Sequence, residues 1–309
     1  MARGKSSISL SKILKAVTDS RGTAEAPRIC VVGTGDDLAR VVGVLSAGAR
    51  DEAGGVSPHV DALAPADFPR EQRLASRWDI VVFVATGTPA ADVAQVVHAA
   101  RRAGAAVIGL IEPGAGGGWT VAAGLFDDEV ARGLGHDPAG RPTLERKIVD
   151  AAGDGAGALA QLLPSVRRTY CDHVVITNAA QNGVIGVVVI IPGADMPAMT
   201  ANQIRMVLKI AHAYGEELNI DRAVEILSIV GAGFVLRTLA RQALDFVPGF
   251  GWAVKGAVGF SGTVALGQAA IAYFESGAPL RLSRMQRINR QVEKLTSRLP
   301  GPVRRVASG

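Results

Sequence analysis

The sequence has few cysteines, few aromatic residues and modest charge, and each shortage excludes a class of protein. Cys30 and Cys171 are the two cysteines in 309 residues, too few for a disulfide framework or a cysteine-rich zinc site. Aromatic residues make up 5% of the chain, less than we expect of an enzyme with aromatic-lined pockets. Apolar residues at 48% and charged residues at 20% exclude intrinsic disorder. A globular protein rich in small residues, with 37 glycines, is what remains.

Residues able to carry catalysis or bind a metal are present but lack the required spacing. Ser261 lacks the second glycine of a nucleophile elbow. The acidic run at 127–129 is typical of the first turn of a solvated helix. We therefore predict no catalytic residue, no metal ligand and no cofactor. The five histidines are scattered along the chain without ligand spacing: His59, His98, His136, His173 and His212.

The net charge of +5 is concentrated at the two ends of the chain. Cations of the tail, residues 281–309, alternate at helical spacing with apolar residues, which predicts a basic amphipathic helix. Such a helix favours an anionic membrane surface; the alternative is a solvated helix whose apolar stripe packs on the bundle. Nucleic acid is not an expected partner, since no aromatic residues are interleaved with the cations. The basic positions of the tail are Arg281, Arg284, Arg287, Lys294 and Arg298.

The first residues do not resemble a secretory signal, because serines and lysines interrupt any apolar core. Leu10, Leu14 and Val17 share one helical stripe, so we interpret residues 1–24 as a basic amphipathic segment. The expected location is the cytoplasmic side of the membrane.

Residues 25–145 alternate short apolar runs with helical patterns, which predicts a parallel sheet covered by helices. The predicted strands span 28–32, 79–85 and 105–111, with an edge strand at 59–63. The predicted helices span 36–45, with Asp36 as N-cap, and 90–103.

The turn Gly33-Thr34-Gly35 after the first strand is where a phosphate would bind. A phosphate loop would place a lysine and a hydroxyl at the positions held by Ala39 and Arg40. The third glycine of a dinucleotide fold is also missing, since Leu38 stands there. We interpret the turn as structural; any cofactor would have to bind Gly33, Thr34 and Gly35.

Residues 146–280 predict helices that are apolar and poor in charge. The stretches 174–194 and 256–274 contain no charged residue, and the second would span about 28 Å as a helix. One face of the second carries small residues suited to close helix packing. Membrane-inserted helices and a water-soluble bundle both fit this pattern. The small-residue positions are Gly256, Gly259, Thr263, Gly267 and Ala270.

Two segments of this helical part resemble the YcjF-like domain of unknown function, which occurs fused to or encoded beside Era-type GTPases. The first contains Pro192 and Asp195, and the second runs from Pro248 and Gly249 through Gly251 to the sequence SGTVALGQAA. The resemblance covers about residues 150–277. It implies a membrane-associated helical domain without an assigned reaction, and it implies that the α/β part is a degenerate P-loop GTPase-like domain.

These observations predict a bacterial, non-catalytic scaffold or adaptor on the cytoplasmic side of the inner membrane, with multi-pass insertion left open. Its expected partners are anionic lipid and either an active GTPase or a second copy of the chain. The predicted divisions are an N-terminal segment 1–24, the α/β domain 25–145, the helical domain 146–280 and the tail 281–309. Two alternatives stay open: a nucleotide- or dinucleotide-binding enzyme with an unconventional glycine-rich loop, and a soluble adaptor.

Overall fold

The structure is a computed structural model that describes residues 24–49, 59–85, 93–111, 120, 123–134, 143–188, 196–216 and 251–276. Within these residues the chain forms a five-stranded parallel sheet followed by a layer of helices. The predicted combination of an α/β part and a helical part is confirmed at this level.

The sheet is built from short apolar runs, as expected of parallel strands that are covered on both faces. Its strand order is β2-β1-β3-β4-β5, and every neighbouring pair is parallel. The strands are β1 Ile29–Val32, β2 Val60–Leu63, β3 Ile80–Ala85, β4 Ala106–Ile111 and β5 Val130–Ala131. All three central predicted strands and the edge strand are confirmed; β5, two residues long, was not predicted.

Helices α1 to α4 pack on this sheet, and α4 also begins the helical part. The helix after β1 starts one residue before the predicted N-cap Asp36, because Thr34 adopts the extended cap conformation and Gly35 opens the helix. Asp36 therefore lies inside the first turn. The bounds are α1 Gly35–Ser46, α2 Gln72–Ala75, α3 Val93–Arg102 and α4 Leu144–Ala152.

The remaining described helices form a layer around one long central helix. This central helix, α6, contacts α4, α5, α7 and α8 and also reaches α1. The bounds are α5 Ala156–Leu162, α6 Pro164–Val188, α7 Met196–Ala213 and α8 Gly251–Glu275. Among the residues the structure describes, no helix combines the length and the apolar character needed to cross a bilayer.

One apolar core runs from the sheet into the helical layer. Side chains on one sheet face, such as Val31 and Val82, belong to the same buried cluster as Cys171 of α6 and Ile271 of α8. A hydrogen bond joins the two parts at this junction: the Ser165 hydroxyl donates to the carbonyl oxygen of Leu45, in the last turn of α1, at 2.7 Å. The opposite sheet face packs against α2 and α3 in a second cluster. The helical layer is thus anchored to the sheet through α4, which contacts β3 and β4, and through α6, which contacts α1.

Candidate functional site

The turn after β1 lies where ligands bind in folds of this strand order. In a sheet ordered 2-1-3-4-5 the strand order reverses between β1 and β3, and the crevice outside their carboxyl ends is the usual binding position. Gly33 and Thr34 stand at the end of β1 in this crevice. The residues after β3, 86–92, lie outside the described part of the chain. The structure therefore shows one wall of the crevice.

Gly33 and Gly35 are required there for different reasons. A Cβ on Gly33 would lie 3.2 Å from Cβ of Val84, so the glycine lets β1 and β3 approach closely at their ends. Gly35 has a φ of +60°, which L residues with a side chain rarely adopt. Backbone geometry thus explains both glycines, and the structural interpretation of the turn stays a prediction.

The side chains that begin α1 are acidic. Asp36 and Asp37 occupy the first turn of this helix, where carboxylates interact favourably with the positive end of the helix dipole. Arg40 contacts Asp37 at 3.5 Å in an exposed ion pair. Acidic side chains beside a helix N-terminus oppose a phosphate that would bind the same amide groups.

The conformation of Gly35 gives a direct stability prediction. We expect Gly35→Ala to lower the free energy of unfolding by about 1 kcal/mol, because alanine is forced into the left-handed region. Gly43→Ala is the matched control: Gly43 lies exposed in the same helix, and no atom stands within 4 Å of its added Cβ. This control should stabilise the protein by about 0.5–1 kcal/mol through helix propensity. Urea unfolding followed by circular dichroism measures the free energy of unfolding of both variants. If both substitutions changed it equally and in the same direction, the left-handed conformation of Gly35 would be contradicted.

The acidic run 127–129 forms a 3-10 turn with an internal partner, where the sequence predicted the first turn of a solvated helix. Glu129 pairs with Arg101 of α3, and its carboxylate also accepts the Phe126 amide hydrogen at 2.8 Å. Within the described residues no group of three histidine, cysteine or acidic side chains is placed to hold a metal ion. Burial raises the pKa of the Cys30 and Cys171 thiols to about 12, so both stay protonated at neutral pH.

Three helices of the second half meet through a buried hydrogen-bond network that the sequence analysis missed. Asn182 of α6 donates to Thr263 of α8 at 2.8 Å, and Asn202 of α7 donates to Asn182 at 2.9 Å. Asn202 also donates to the Asn178 carbonyl at 3.0 Å. All four side chains are at most 5% exposed. From the sequence, the asparagines are interruptions of an apolar run, whereas in the structure they join α6 to its neighbours.

The small residues of α8 form the predicted close-packing face, and its partner is α6. A Cβ on Gly256 would lie 2.6 Å from the Val187 side chain, and one on Gly259 would lie 2.8 Å from the Asn182 carbonyl oxygen. Gly267 faces α6 in the same way. Small residues with polar side chains bonded across helices are the packing mode found in membrane bundles.

Charged side chains collect where α6 begins and α8 ends. Arg168 near the start of α6 pairs with Asp172 at 3.0 Å and with Glu275 at the end of α8 at 3.1 Å. Gln268 joins them, since it accepts a hydrogen bond from Arg168 and donates one to Asp172. Tyr214 donates to Glu275 at 3.2 Å. These contacts hold the polar end of the bundle together.

The C-terminal half of α6 carries an exposed apolar face. We define the apolar patch as Ile176, Val184 and Val187 of α6 with Phe260 of α8. Their exposed fractions run from 39% for Val187 to 61% for Val184. The sequence of α6 has no charged residue from position 174 onwards. A groove lies on each side of the patch, one between α6 and α7 and one between α6 and α8.

The other predicted positions fall mainly outside the described residues. Pro192, Asp195, Pro248 and Gly249 lie there, as does the N-terminal segment 1–23. Gly251 is described, as the first residue of α8. The basic tail positions also lie outside: Arg281, Arg284, Arg287, Lys294 and Arg298.

A comparison with protein-family models and with curated proteins finds no match for this chain. The resemblance to the YcjF-like domain therefore stays a prediction.

Proposed function

We propose that this protein is a non-catalytic scaffold that rests on the cytoplasmic side of a membrane through the apolar patch. The observation that carries the proposal is the patch itself, a set of large exposed apolar side chains along the charge-free half of α6 and on the neighbouring α8. Single exposed apolar residues are ordinary, whereas a contiguous patch marks an interaction surface.

The internal packing of the helical layer supports a membrane as the surface that covers the patch. The bundle is held together by close contacts at glycines and by asparagine and threonine hydrogen bonds across helices. Helices in a bilayer associate through these contacts, because lipid provides no hydrophobic driving force for helix association. The tail that follows α8 in sequence adds a cluster of cations, which anionic lipid attracts.

The order of charge along α6 indicates how the bundle would sit. Its start carries Arg168 and Asp172, whereas its second half is free of charge. Partial insertion of the charge-free end, with the charged end left in water, matches this order.

The α/β half supplies the scaffold's second surface in this proposal. Glycine geometry explains its turn after β1, and the acids Asp36 and Asp37 disfavour a bound phosphate. The resemblance to domains that accompany Era-type GTPases supports an active GTPase as partner, with a second copy of the chain as the other candidate. Titration calorimetry that detects micromolar binding of GTP with Mg²⁺, or of NAD, would instead favour the alternative function, a nucleotide- or dinucleotide-binding enzyme.

Vesicle binding tests the proposal on the full chain. We expect the protein to sediment with vesicles of neutral and anionic lipid, and Val184→Asp to weaken this binding about tenfold, because a carboxylate replaces apolar area at the contact. Leu74→Asp on α2 is the matched control, since Leu74 is an apolar side chain exposed to 52%. It should leave the affinity unchanged.

Two results would contradict the membrane assignment. One is a wild-type protein that stays in the supernatant with every vesicle composition at low salt, which favours the soluble adaptor. The other is an equal loss of binding for Val184→Asp and Leu74→Asp, which places the contact elsewhere. Circular dichroism of both variants checks that each retains its helical content.

A further inference from the structure

The groove between α6 and α7 has an apolar floor with a polar flank. It is open to solvent and has a volume of about 1000 Å³. Alanines and branched aliphatic side chains line most of it, and the polar residues of its lining are Thr177 and Gln181 of α6 and two residues of α7. The residues used below are Ile176, Ala180 and Val184 of α6, and Ala201, Asn202 and Arg205 of α7.

Both polar residues of α7 in this groove have an unsatisfied buried atom. Oδ1 of Asn202 receives no hydrogen bond, and Nε of Arg205 donates none, within the part of the chain that the structure describes. Asn202 is 5% exposed, so its oxygen lacks free access to bulk water. Because an unpaired buried donor is costly, a side-chain movement that lets the Arg205 guanidinium meet an acceptor in the groove is favoured.

Arg205 specifies the chemistry of the ligand. It requires an acceptor, and its guanidinium favours a pair of anionic oxygens such as those of a phosphate. Apart from Thr177 and Gln181 of α6, the rest of the lining is apolar and fits a hydrocarbon chain.

The charge around the polar flank is positive. No ion pair involving Arg205 occurs among the described residues, whereas Lys209 lies one turn further along α7 and is exposed. An anion at Arg205 would therefore have a second cation, Lys209, one helical turn away.

The distance from Arg205 to the end of α6 matches the depth of one lipid leaflet. Asn202 bonds to the Asn178 carbonyl, so Arg205 lies near the level of Ile176 on the antiparallel α6. From there to the end of α6 the helix extends about 18 Å, close to the roughly 15 Å depth of one hydrocarbon leaflet. A lipid with its phosphate at Arg205 can lay its acyl chain beside Ala180 and Val184.

We propose that this groove binds an anionic phospholipid of the membrane, with the phosphate on Arg205 and an acyl chain along α6. The inference rests on the proposed function and gives the patch a lipid preference. Arg205 is then the residue that selects anionic over neutral lipid at the described surface.

The test compares full-length variants on two vesicle types, phosphatidylcholine alone and phosphatidylcholine mixed with phosphatidylglycerol. Arg205→Gln should reduce the preference for the anionic vesicles about fivefold, the factor that corresponds to about 1 kcal/mol per basic residue at an anionic surface. Arg205→Lys should retain most of the preference. Arg102→Gln on α3 removes the same charge from an exposed helix position and should change nothing.

A second readout reports the occupant of the groove. A bimane label on Val184→Cys can be attached selectively, because Cys30 and Cys171 are buried and their thiols have pKa values of about 12. We expect lipids carrying a doxyl group on the acyl chain to quench this label on vesicles. Absence of quenching in sedimented protein would show that another part of the chain or a second copy covers the groove, and the inference would fall.

The outcomes separate this inference from the proposed function. If wild type binds neither vesicle type, both fail. If wild type binds and Val184→Asp does not, but Arg205→Gln behaves as Arg102→Gln does, the membrane assignment stands and the lipid site is refuted. If the label is not quenched while calorimetry detects inorganic phosphate at Arg205, the groove is a general anion contact and the lipid assignment is wrong.

Discussion

Gly267→Ala is expected to destabilise the protein by about 2 kcal/mol, although alanine is the better helix former. The added Cβ would lie 2.8 Å from Cγ1 of Val175 and closer still to its Cγ2. Val175 is fully buried and, as a β-branched residue, has little rotamer freedom in a helix. Overpacking of this kind costs about 1–3 kcal/mol, which exceeds the propensity gain of up to about 1 kcal/mol. Urea unfolding followed by circular dichroism measures the change.

A double-mutant cycle identifies Val175 as the cause. Val175→Ala alone should cost about 2 kcal/mol, because it leaves a cavity in a packed core. In the double variant Gly267→Ala/Val175→Ala the added methyl occupies part of that space, so we expect a total at least about 1 kcal/mol below the sum of the single effects. Gly43→Ala gives the pure propensity change where no atom blocks the Cβ. Additivity within about 0.3 kcal/mol would contradict the close contact of α6 and α8.

The sheet could be predicted from the sequence because each central strand is a short apolar run bounded by a turn. Parallel strands buried on both faces need no alternation, and β3 satisfies this with six buried residues in succession. β5 escaped prediction since two residues, Val130 and Ala131, carry no periodicity. The N-cap was misplaced by two residues: Asp36 has the typical cap chemistry, whereas Thr34 adopts the extended cap conformation and Gly35, with a φ of +60°, follows it as the first residue of the helix.

The candidate site was less predictable because it depends on which helices are neighbours. Spacing alone indicated that Gly256, Gly259 and Gly267 share one face of α8, and the structure confirms it. Spacing could not show that this face meets α6, nor that Val184 of α6 stays exposed beside the contact. Arg205 was not predicted as a functional residue, because the sequence does not show that it lies beside an apolar groove between α6 and α7.

Thr263→Val is expected to cost about 2 kcal/mol although the two side chains have nearly the same shape. The Thr263 hydroxyl accepts hydrogen bonds from Asn182 at 2.8 Å and from Gln203 at 3.3 Å. Valine leaves the Asn182 amide group with the Met199 carbonyl at 3.5 Å as its remaining described acceptor. Because Asn182 is fully buried, water cannot replace the lost partner, and the desolvation cost of about 1–3 kcal/mol is felt in full.

The matched control for this change is Thr177→Val. Thr177 lies exposed on α6, so its hydroxyl can bond to water and the substitution should stay within about 0.5 kcal/mol of wild type. A difference between the two variants no larger than about 0.5 kcal/mol, the usual range of surface substitutions, would show that the asparagine–threonine network contributes little to the bundle. If Thr263→Val lowers the free energy of unfolding by the larger expected amount, the network helps to determine how α6, α7 and α8 are arranged. Since Asn202 joins the same network and lines the α6–α7 groove, the shape of that groove depends on these hydrogen bonds as well.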